Sequence, residues 1–126
     1  MNLYVISGAT GMTGSELVRQ LLGKGHSIIG FDNFFASSIN TIKSFLQCDR
    51  MNFFEYDINN TVQMEKVKEM VLEMKERFDK LIYINCAAVV HTEHFYYVNR
   101  TFDTNVLGMR SFMNQAISVG ADVFIN

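Results

Sequence analysis

The chain has 126 residues, with 11 Lys+Arg against 13 Asp+Glu, a formal net charge of −2 and 48% hydrophobic residues. A chain of this length forms one domain that buries roughly two-thirds of its unfolded surface, so its core needs no disulfide or metal, and its apolar content excludes a disordered or collagenous polymer. The slightly acidic balance argues against nucleic acid, no apolar run approaches the roughly 18 residues of a membrane span, and the start MNLYVISGATG lacks a basic n-region, which points to a cytoplasmic protein.

Leu3-Tyr4-Val5-Ile6 is a short β-rich run that ends in Ser7-Gly8. From Thr13 to Leu22 the apolar residues Leu17, Val18, Leu21 and Leu22 mark one helical face, stopped by Gly23 and Gly25. Ser27–Phe31 is a second strand ending at Asp32, followed by a weaker helical piece over 39–46 with Ile42, Phe45 and Leu46 as its apolar side. Met51–Tyr56 reads as a third strand ending at Asp57. Asn60 and Gln63 have capping-box spacing ahead of a helix whose apolar face is Val67, Met70, Val71, Met74 and Phe78. Its opposite face, rich in Glu and Lys, is a solvated surface. Leu81–Ile84 is a fourth strand running into Asn85-Cys86-Ala87-Ala88. One long helix is expected over 98–119, with Phe102, Val106, Met109, Met113, Ala116 and Ile117 on one side and Gly120 as its C′ residue. Asp122–Ile125 is a fifth strand. Five strands joined by four helical connections, with no hairpin signal, predict an α/β fold: a parallel sheet, doubly wound, with helices on both faces and right-handed crossovers.

Gly8-Ala9-Thr10-Gly11-Met12-Thr13-Gly14 lies between the first strand and the first helix. In such a turn the first Gly permits the bend, the next admits a phosphate to the backbone, and the last lets helix and strand pack closely. The helix N-terminus offers unpaired N–H groups to the anion. The spacing G-x-x-G-x-x-G differs from the G-x-G-x-x-G fingerprint, and no Lys-Ser/Thr pair makes it a P-loop. Asp32 stands 18 residues beyond Gly14, where an acid bonds adenosine ribose hydroxyls and repels a 2′-phosphate. No Arg or Lys falls between Asp32 and Lys43, which favours NAD over NADP. Asp57, at the end of the third strand, is placed to accept from an adenine amino group. Cys86-Ala87-Ala88 are small enough for backbone to pass a flat ligand. All four features fall at C-terminal strand ends, where open parallel sheets bind ligands.

These residues resemble the extended short-chain dehydrogenase/reductase family, the NAD-dependent nucleotide-sugar epimerases and dehydratases. The resemblance runs through Ser7–Gly14, Gly25–Asn33, Tyr56-Asp57-Ile58, Asn85–His91 and Phe102–Gly108, in order along the whole chain. It implies a Rossmann-like NAD-binding domain over residues 1–126. Gly8, Gly11 and Gly14 would cradle the pyrophosphate with Thr10 and Met12 lining it, Asp32 and Asn33 would take the ribose, Asp57 and Ile58 would flank the adenine, and Cys86, Ala87 and Ala88 the nicotinamide half. Asn105 would fix the active-site end of the sheet through backbone hydrogen bonds.

The resemblance also implies a catalytic Ser after the fifth strand and a Tyr-x-x-x-Lys, neither of which occurs in residues 1–126. Tyr96 and Arg100 share the spacing but not the lysine. No catalytic residue is therefore assigned, and the chain is expected to bind NAD without catalysis, as the cofactor half of an oxidoreductase acting on a nucleotide-sugar. Two alternatives stand beside this: a dinucleotide-sensing module, or the N-terminal part of an NAD(P)-dependent thioester or carbonyl reductase. A coding sequence continuing into Ser and Tyr-x-x-x-Lys would separate enzyme from sensor.

His91-Thr92-Glu93-His94 lacks zinc-helix spacing and a third ligand, so no metal site is assigned. Cys48 and Cys86 read as free thiols, and Cys86 has no activating base. Phe34-Phe35 either covers the adenine or anchors the loop. A sheet stopping at the fifth strand would leave Val123, Phe124 and Ile125 as exposed apolar surface and favour a homo-oligomer.

Overall fold

The computed structural model describes the backbone of residues 1–126 and every side chain except that of Phe95. Five parallel strands, β1 (Leu3–Ser7), β2 (Ser27–Asp32), β3 (Met51–Glu55), β4 (Leu81–Asn85) and β5 (Val123–Ile125), form one sheet in the order β3-β2-β1-β4-β5. The chain winds outward one way from β1 through β3 and the other way from β4 to β5. The reversal between β1 and β4 is the switch point at which such sheets open a crevice beyond their strand ends.

Alternation along the strands divides the core in two. Ile6, Ile28, Ile82 and Ile84 face α1 (Met12–Gly23), meeting Val18, Leu21 and Leu22. Leu3, Val5, Ile29, Phe31, Leu81 and Tyr83 face α2 (Thr61–Met74) and α4 (Met109–Ser118), meeting Val67, Val71, Phe112 and Ala116. Strands buried on both faces explain why β1, β2 and β4 read as near-continuous apolar runs. Tyr83 carries a hydroxyl into this core. It donates to Gln115 Oε1 at 2.9 Å, and Gln115 Nε2 donates to the Met64 carbonyl at 2.8 Å, joining β4, α4 and α2. Burial pushes the Tyr83 phenol well above its ordinary value, so it stays a neutral donor.

Glycine ends α1 and α4 in the same way. Gly25 (φ 86°) and Gly120 (φ 74°) adopt the left-handed conformation, and the paired bonds His26 N to Leu21 O and Ala121 N to Ala116 O complete Schellman motifs. Gly23, expected as part of the stop, lies inside α1.

Other elements also differ from their sequence patterns. The segment 39–46 is two 3₁₀ turns, Ile39–Thr41 and Lys43–Phe45, not an α-helical piece. Its apolar period is three: Ile39, Ile42, Phe45 and Cys48 pack on the α1-side core, and each bonds back three residues from Ile42 onward, whereas Leu46 is exposed. The third strand stops at Glu55, so Asp57 lies in the following turn. The long helix is broken into α3 (Val98–Phe102), a π-helical turn over Asp103–Gly108, and α4.

The π turn rotates the buried face. Thr104, Gly108, Phe112 and Ala116 point inward, while Phe102, Val106 and Ile117, expected inside, are exposed. A Cβ on Gly108 would sit 2.8 Å from Ile58 Cγ2, so only glycine lets this turn approach the loop after β3. The Asn60–Gln63 box is half as drawn: Asn60 Oδ1 accepts from Gln63 N–H at 3.0 Å, but Gln63 Oε1 accepts from Asp57 N–H at 2.8 Å rather than from Asn60.

Val123 is 41% and Ile125 49% exposed on β5, while Phe124 packs against the core. Among the described residues no helix is long and apolar enough to cross a membrane.

Candidate functional site

The C-terminal ends of β1, β2 and β4 open into one cavity of about 1180 Å³. That exceeds the roughly 300–1,000 Å³ of drug-sized ligand pockets and admits an extended ligand. Its floor is the glycine loop. Gly8 (φ 69°) turns the chain out of β1 so tightly that a Cβ there would stand 2.6 Å from the Cys86 carbonyl carbon. A Cβ on Gly14 would overlap the Gly8 carbonyl oxygen, so helix and loop pack backbone on backbone. Gly11 is different: its φ of −68° suits any residue, and a Cβ would meet only Gly8 O, at 3.4 Å. Gly11 is also the N-cap of α1, with no side-chain cap. The first-turn N–H groups are thus left to whatever occupies the cavity, which Gly11–Ser15 line.

The wall after β2 is held by Asx turns. Asp32 accepts from Thr10 N–H at 3.2 Å through Oδ2 and from Phe34 N–H at 2.9 Å through Oδ1, tying the glycine loop to the β2 end. Asn33 Oδ1 accepts from Phe35 N–H at 3.0 Å. Phe34, held at φ 59°, stacks on Phe53 of β3 at 5.9 Å. Phe35 instead meets His94 at 4.6 Å. Both rings line the cavity. Thr10 is fully buried, with Oγ1 2.6 Å from Ser37 Oγ, and its carbonyl accepts from Thr41 Oγ1 at 2.7 Å.

The wall after β4 is Cys86–His91. Ser7 Oγ donates to Asn85 Oδ1 at 2.5 Å and accepts from Ala87 N–H at 3.3 Å, while Asn85 Nδ2 donates to Asn126 Oδ1 at 2.8 Å. This chain of side chains ties the ends of β1, β4 and β5. Asn105, in the π turn, accepts from Val89 N–H at 2.7 Å and donates to Val89 O at 3.0 Å. This two-point clamp on the backbone of one residue holds the loop after β4 against the π turn. Burial pushes the Cys86 thiol up, which keeps it protonated and weakly nucleophilic.

Of the residues singled out in the sequence, Gly8, Thr10, Gly11, Met12, Gly14, Asp32, Asn33, Ile58, Cys86, Ala87 and Ala88 come together around this cavity. Asp57 and Asn105 stand behind its walls. Asp57 Oδ2 accepts from Asn33 Nδ2 at 3.0 Å and Oδ1 from Asn59 N–H at 2.8 Å, bracing the turns after β2 and β3. Ser37, Thr41, Tyr56, Val89, Arg100 and Thr104, to which the sequence assigns no binding role of their own, also line the cavity. Ser37 and Thr41 sit in a Ser/Thr-rich stretch after the β2 acid, and that composition was the available signal. Nothing local marks Arg100 or Thr104. Among the described residues no group of three or more His, Cys, Asp or Glu has metal-binding proximity.

The family profile described as "NAD dependent epimerase/dehydratase family" matches residues 4–126. UDP-glucuronic acid decarboxylase 1 of Arabidopsis thaliana is 30% identical over 118 residues, which are 93% of this chain and 24% of that protein. UDP-glucuronic acid decarboxylase 5 of the same plant is 27% identical over 96% of this chain and 32% of its own length. The chain thus spans about a quarter to a third of these relatives. The enzyme WbmG of Bordetella bronchiseptica, solved in complex with NAD and UDP, superposes with a TM-score of 0.78 at 19% identity, covering 96% of this chain and 35% of that one. UDP-glucose 4-epimerase of Thermotoga maritima, with UDP-glucose, gives a TM-score of 0.75 at 22% identity, covering 98% and 36%. At these identities the two structures establish the shared fold.

Proposed function

The chain belongs to the NAD dependent epimerase/dehydratase family, and from that premise we propose that it is the NAD-binding Rossmann domain of an oxidoreductase acting on a nucleoside-diphosphate sugar. The observation that carries this reading is the convergence of the uncapped α1 N-terminus, Asp32 and the Cys86–Ala88 backbone on a single cavity at the β1/β4 switch point. The residues fit the cofactor. Gly8 and Gly14 shape the turn by packing backbone on backbone, and Gly11 leaves room for an approaching phosphate. In this reading Gly8, Gly11, Gly14, Thr10 and Met12 hold the diphosphate. Asp32 and Asn33 take the adenosine ribose, Ile58 flanks the adenine, and Cys86, Ala87 and Ala88 border the nicotinamide half. Asp57 and Asn105 hold the two walls from behind.

When bound, NAD supplies a reversible acceptor for hydride from a sugar carbon. The residues of this chain bind and orient it and exclude water from its face; no Tyr-x-x-x-Lys occurs among residues 1–126, so by itself the chain binds without turnover. The UDP-sugar enzymes among its relatives support a nucleotide-sugar substrate for the whole protein. A cytoplasmic setting, where the free thiols of Cys48 and Cys86 stay reduced, is part of the same proposal. The exposed Val123 and Ile125 on β5 favour self-association of the isolated chain, expected as dimers or larger species in sedimentation velocity, and a uniform monomer would contradict it.

The direct test is titration of NAD by calorimetry. Asp32→Asn removes the charge and keeps one of the two acceptor oxygens, so either the Thr10 or the Phe34 N–H loses its partner. The variant is expected to weaken NAD by roughly 10- to 100-fold, the loss of about 1.5–3 kcal/mol from a charge-assisted hydrogen bond. Affinity for NADP should fall less, because repulsion of a 2′-phosphate is relieved. Unchanged NAD affinity together with an unchanged NAD-to-NADP ratio would remove Asp32 from the ribose.

A further inference from the structure

The cavity is short of positive charge for a ligand that brings a diphosphate. Its lining holds two carboxylates, Asp32 and Glu16, and a single Lys or Arg, which is Arg100. Arg100 comes from the last turn of α3, on the β4 side of the crevice. Its guanidinium carbon lies over the ring of Phe35, 4.5 Å from the centroid. Phe35 belongs to the opposite wall, three residues past Asp32. The fold therefore carries a cation across the mouth to the stretch where the sequence itself, from Asp32 to Lys43, has none.

A guanidinium held over an aromatic face by cation–π attraction forms no hydrogen bond with the ring carbons, and its N–H donors suit phosphate oxygens. Among the described residues no carboxylate pairs with Arg100. Its charge is thus pre-positioned and not neutralised by an ion pair. The neighbouring wall adds the Ser38 hydroxyl, whose oxygen accepts from Asn40 N–H, and the α1 N-terminus opens into the same cavity.

We propose that Arg100, carried on Phe35 as a platform, is a phosphate contact of this cavity and sets its affinity for phosphate-bearing nucleotides. This rests on the dinucleotide reading above. The phosphate is that of the cofactor or that of a nucleotide-sugar, and the two are told apart by ligand.

The test titrates NAD, NADP and UDP into the wild-type chain, Arg100→Ala and Arg100→Lys, at low and at high salt. Arg100→Ala is expected to weaken at least one of the three about tenfold at low salt, and the gap should close near 1 M salt, where the screening length falls to about 3 Å. Arg100→Lys recovers part of the loss, because it keeps the charge without the fork. Loss for NAD and NADP alike assigns the contact to the cofactor diphosphate, loss for NADP alone to a ribose 2′-phosphate, and loss for UDP alone to the nucleotide-sugar. Equal affinity of Arg100→Ala and wild type for all three overturns the proposal. So does a loss that persists undiminished at high salt or is not relieved by lysine, since either reads as altered structure. Wild-type protein that binds none of the three fails the dinucleotide reading itself, a result seen without any variant.

Discussion

Phe112→Ala is expected to lower the free energy of unfolding by about 3–5 kcal/mol, the range for deleting a buried phenyl ring. Phe112 is 2% exposed on the inner face of α4. Its ring meets Phe31 of β2 edge-on at 5.6 Å, Tyr83 of β4 at 4.9 Å and Phe124 of β5 at 6.1 Å. It thus joins two inner strands and one edge strand to a single helix. Removing it leaves a cavity among rings that are themselves held by the sheet and cannot collapse inward. A domain of this size has a total stability of about 5–15 kcal/mol, so the variant loses a large share of it. Urea unfolding should show a lower midpoint with an unchanged slope. A loss under about 1 kcal/mol would mean that α4 is not packed on the sheet through this ring.

Gly14→Ala and Gly11→Ala are expected to separate folding from binding within one loop. At Gly14 the added methyl would overlap Gly8 O and stand 2.9 Å from Gly8 C and 3.0 Å from Ala9 Cα, all backbone atoms that no rotamer change can move. Either α1 or the turn must shift. The cost is that of overpacking, about 1–3 kcal/mol or more, and NAD binding is lost along with the turn. At Gly11 the same methyl meets one atom at 3.4 Å on an unstrained backbone. Stability should stay within about 0.5 kcal/mol of wild type. NAD affinity should nonetheless fall roughly tenfold, equivalent to about 1.4 kcal/mol, because the Cβ intrudes where backbone N–H groups must reach a phosphate. Thermal unfolding read beside calorimetric titration checks both. Equal stability of the two variants would contradict the close packing of Gly14, and undiminished NAD binding by Gly11→Ala would take Gly11 out of the diphosphate contact.

The strands, α1 and α2 were legible because their signals are local. β1, β2 and β4 are apolar on both faces, and α2 repeats Val67, Val71 and their neighbours at helical spacing. The segment 39–46 suggests a helix in sequence because Ile42 and Phe45 suit a 3.6 period as readily as a period of three. Only the bonds of Ile42 to Ile39 and Phe45 to Ile42 distinguish them. The stretch 98–119 departs further from its sequence pattern. Its expected face, through Phe102, Val106 and Ile117, is sound for an unbroken α-helix, but the π turn rotates it away and buries Thr104 and Gly108 instead. Gly108 is read correctly only once Ile58 is known to press against it.

By itself the sequence determined the alternation of strands and helices, the turn at Gly8–Gly14, the helix stops at Gly25 and Gly120, and the acid after β2. Each depends on residues within a few positions of one another, where period, φ preference and hydrogen-bond spacing act directly. Tertiary structure alone decided which side chains meet across the crevice. It set Thr10 N–H on Asp32, clamped Val89 with Asn105, drew Asp57 and Asn33 into one brace, and laid Arg100 over Phe35. These contacts follow from the strand order β3-β2-β1-β4-β5, which brings the loops after β2 and β4 to the two sides of β1. That order is a property of how buried faces are covered by α1 on one side and α2 and α4 on the other, so no local window of the chain contains it.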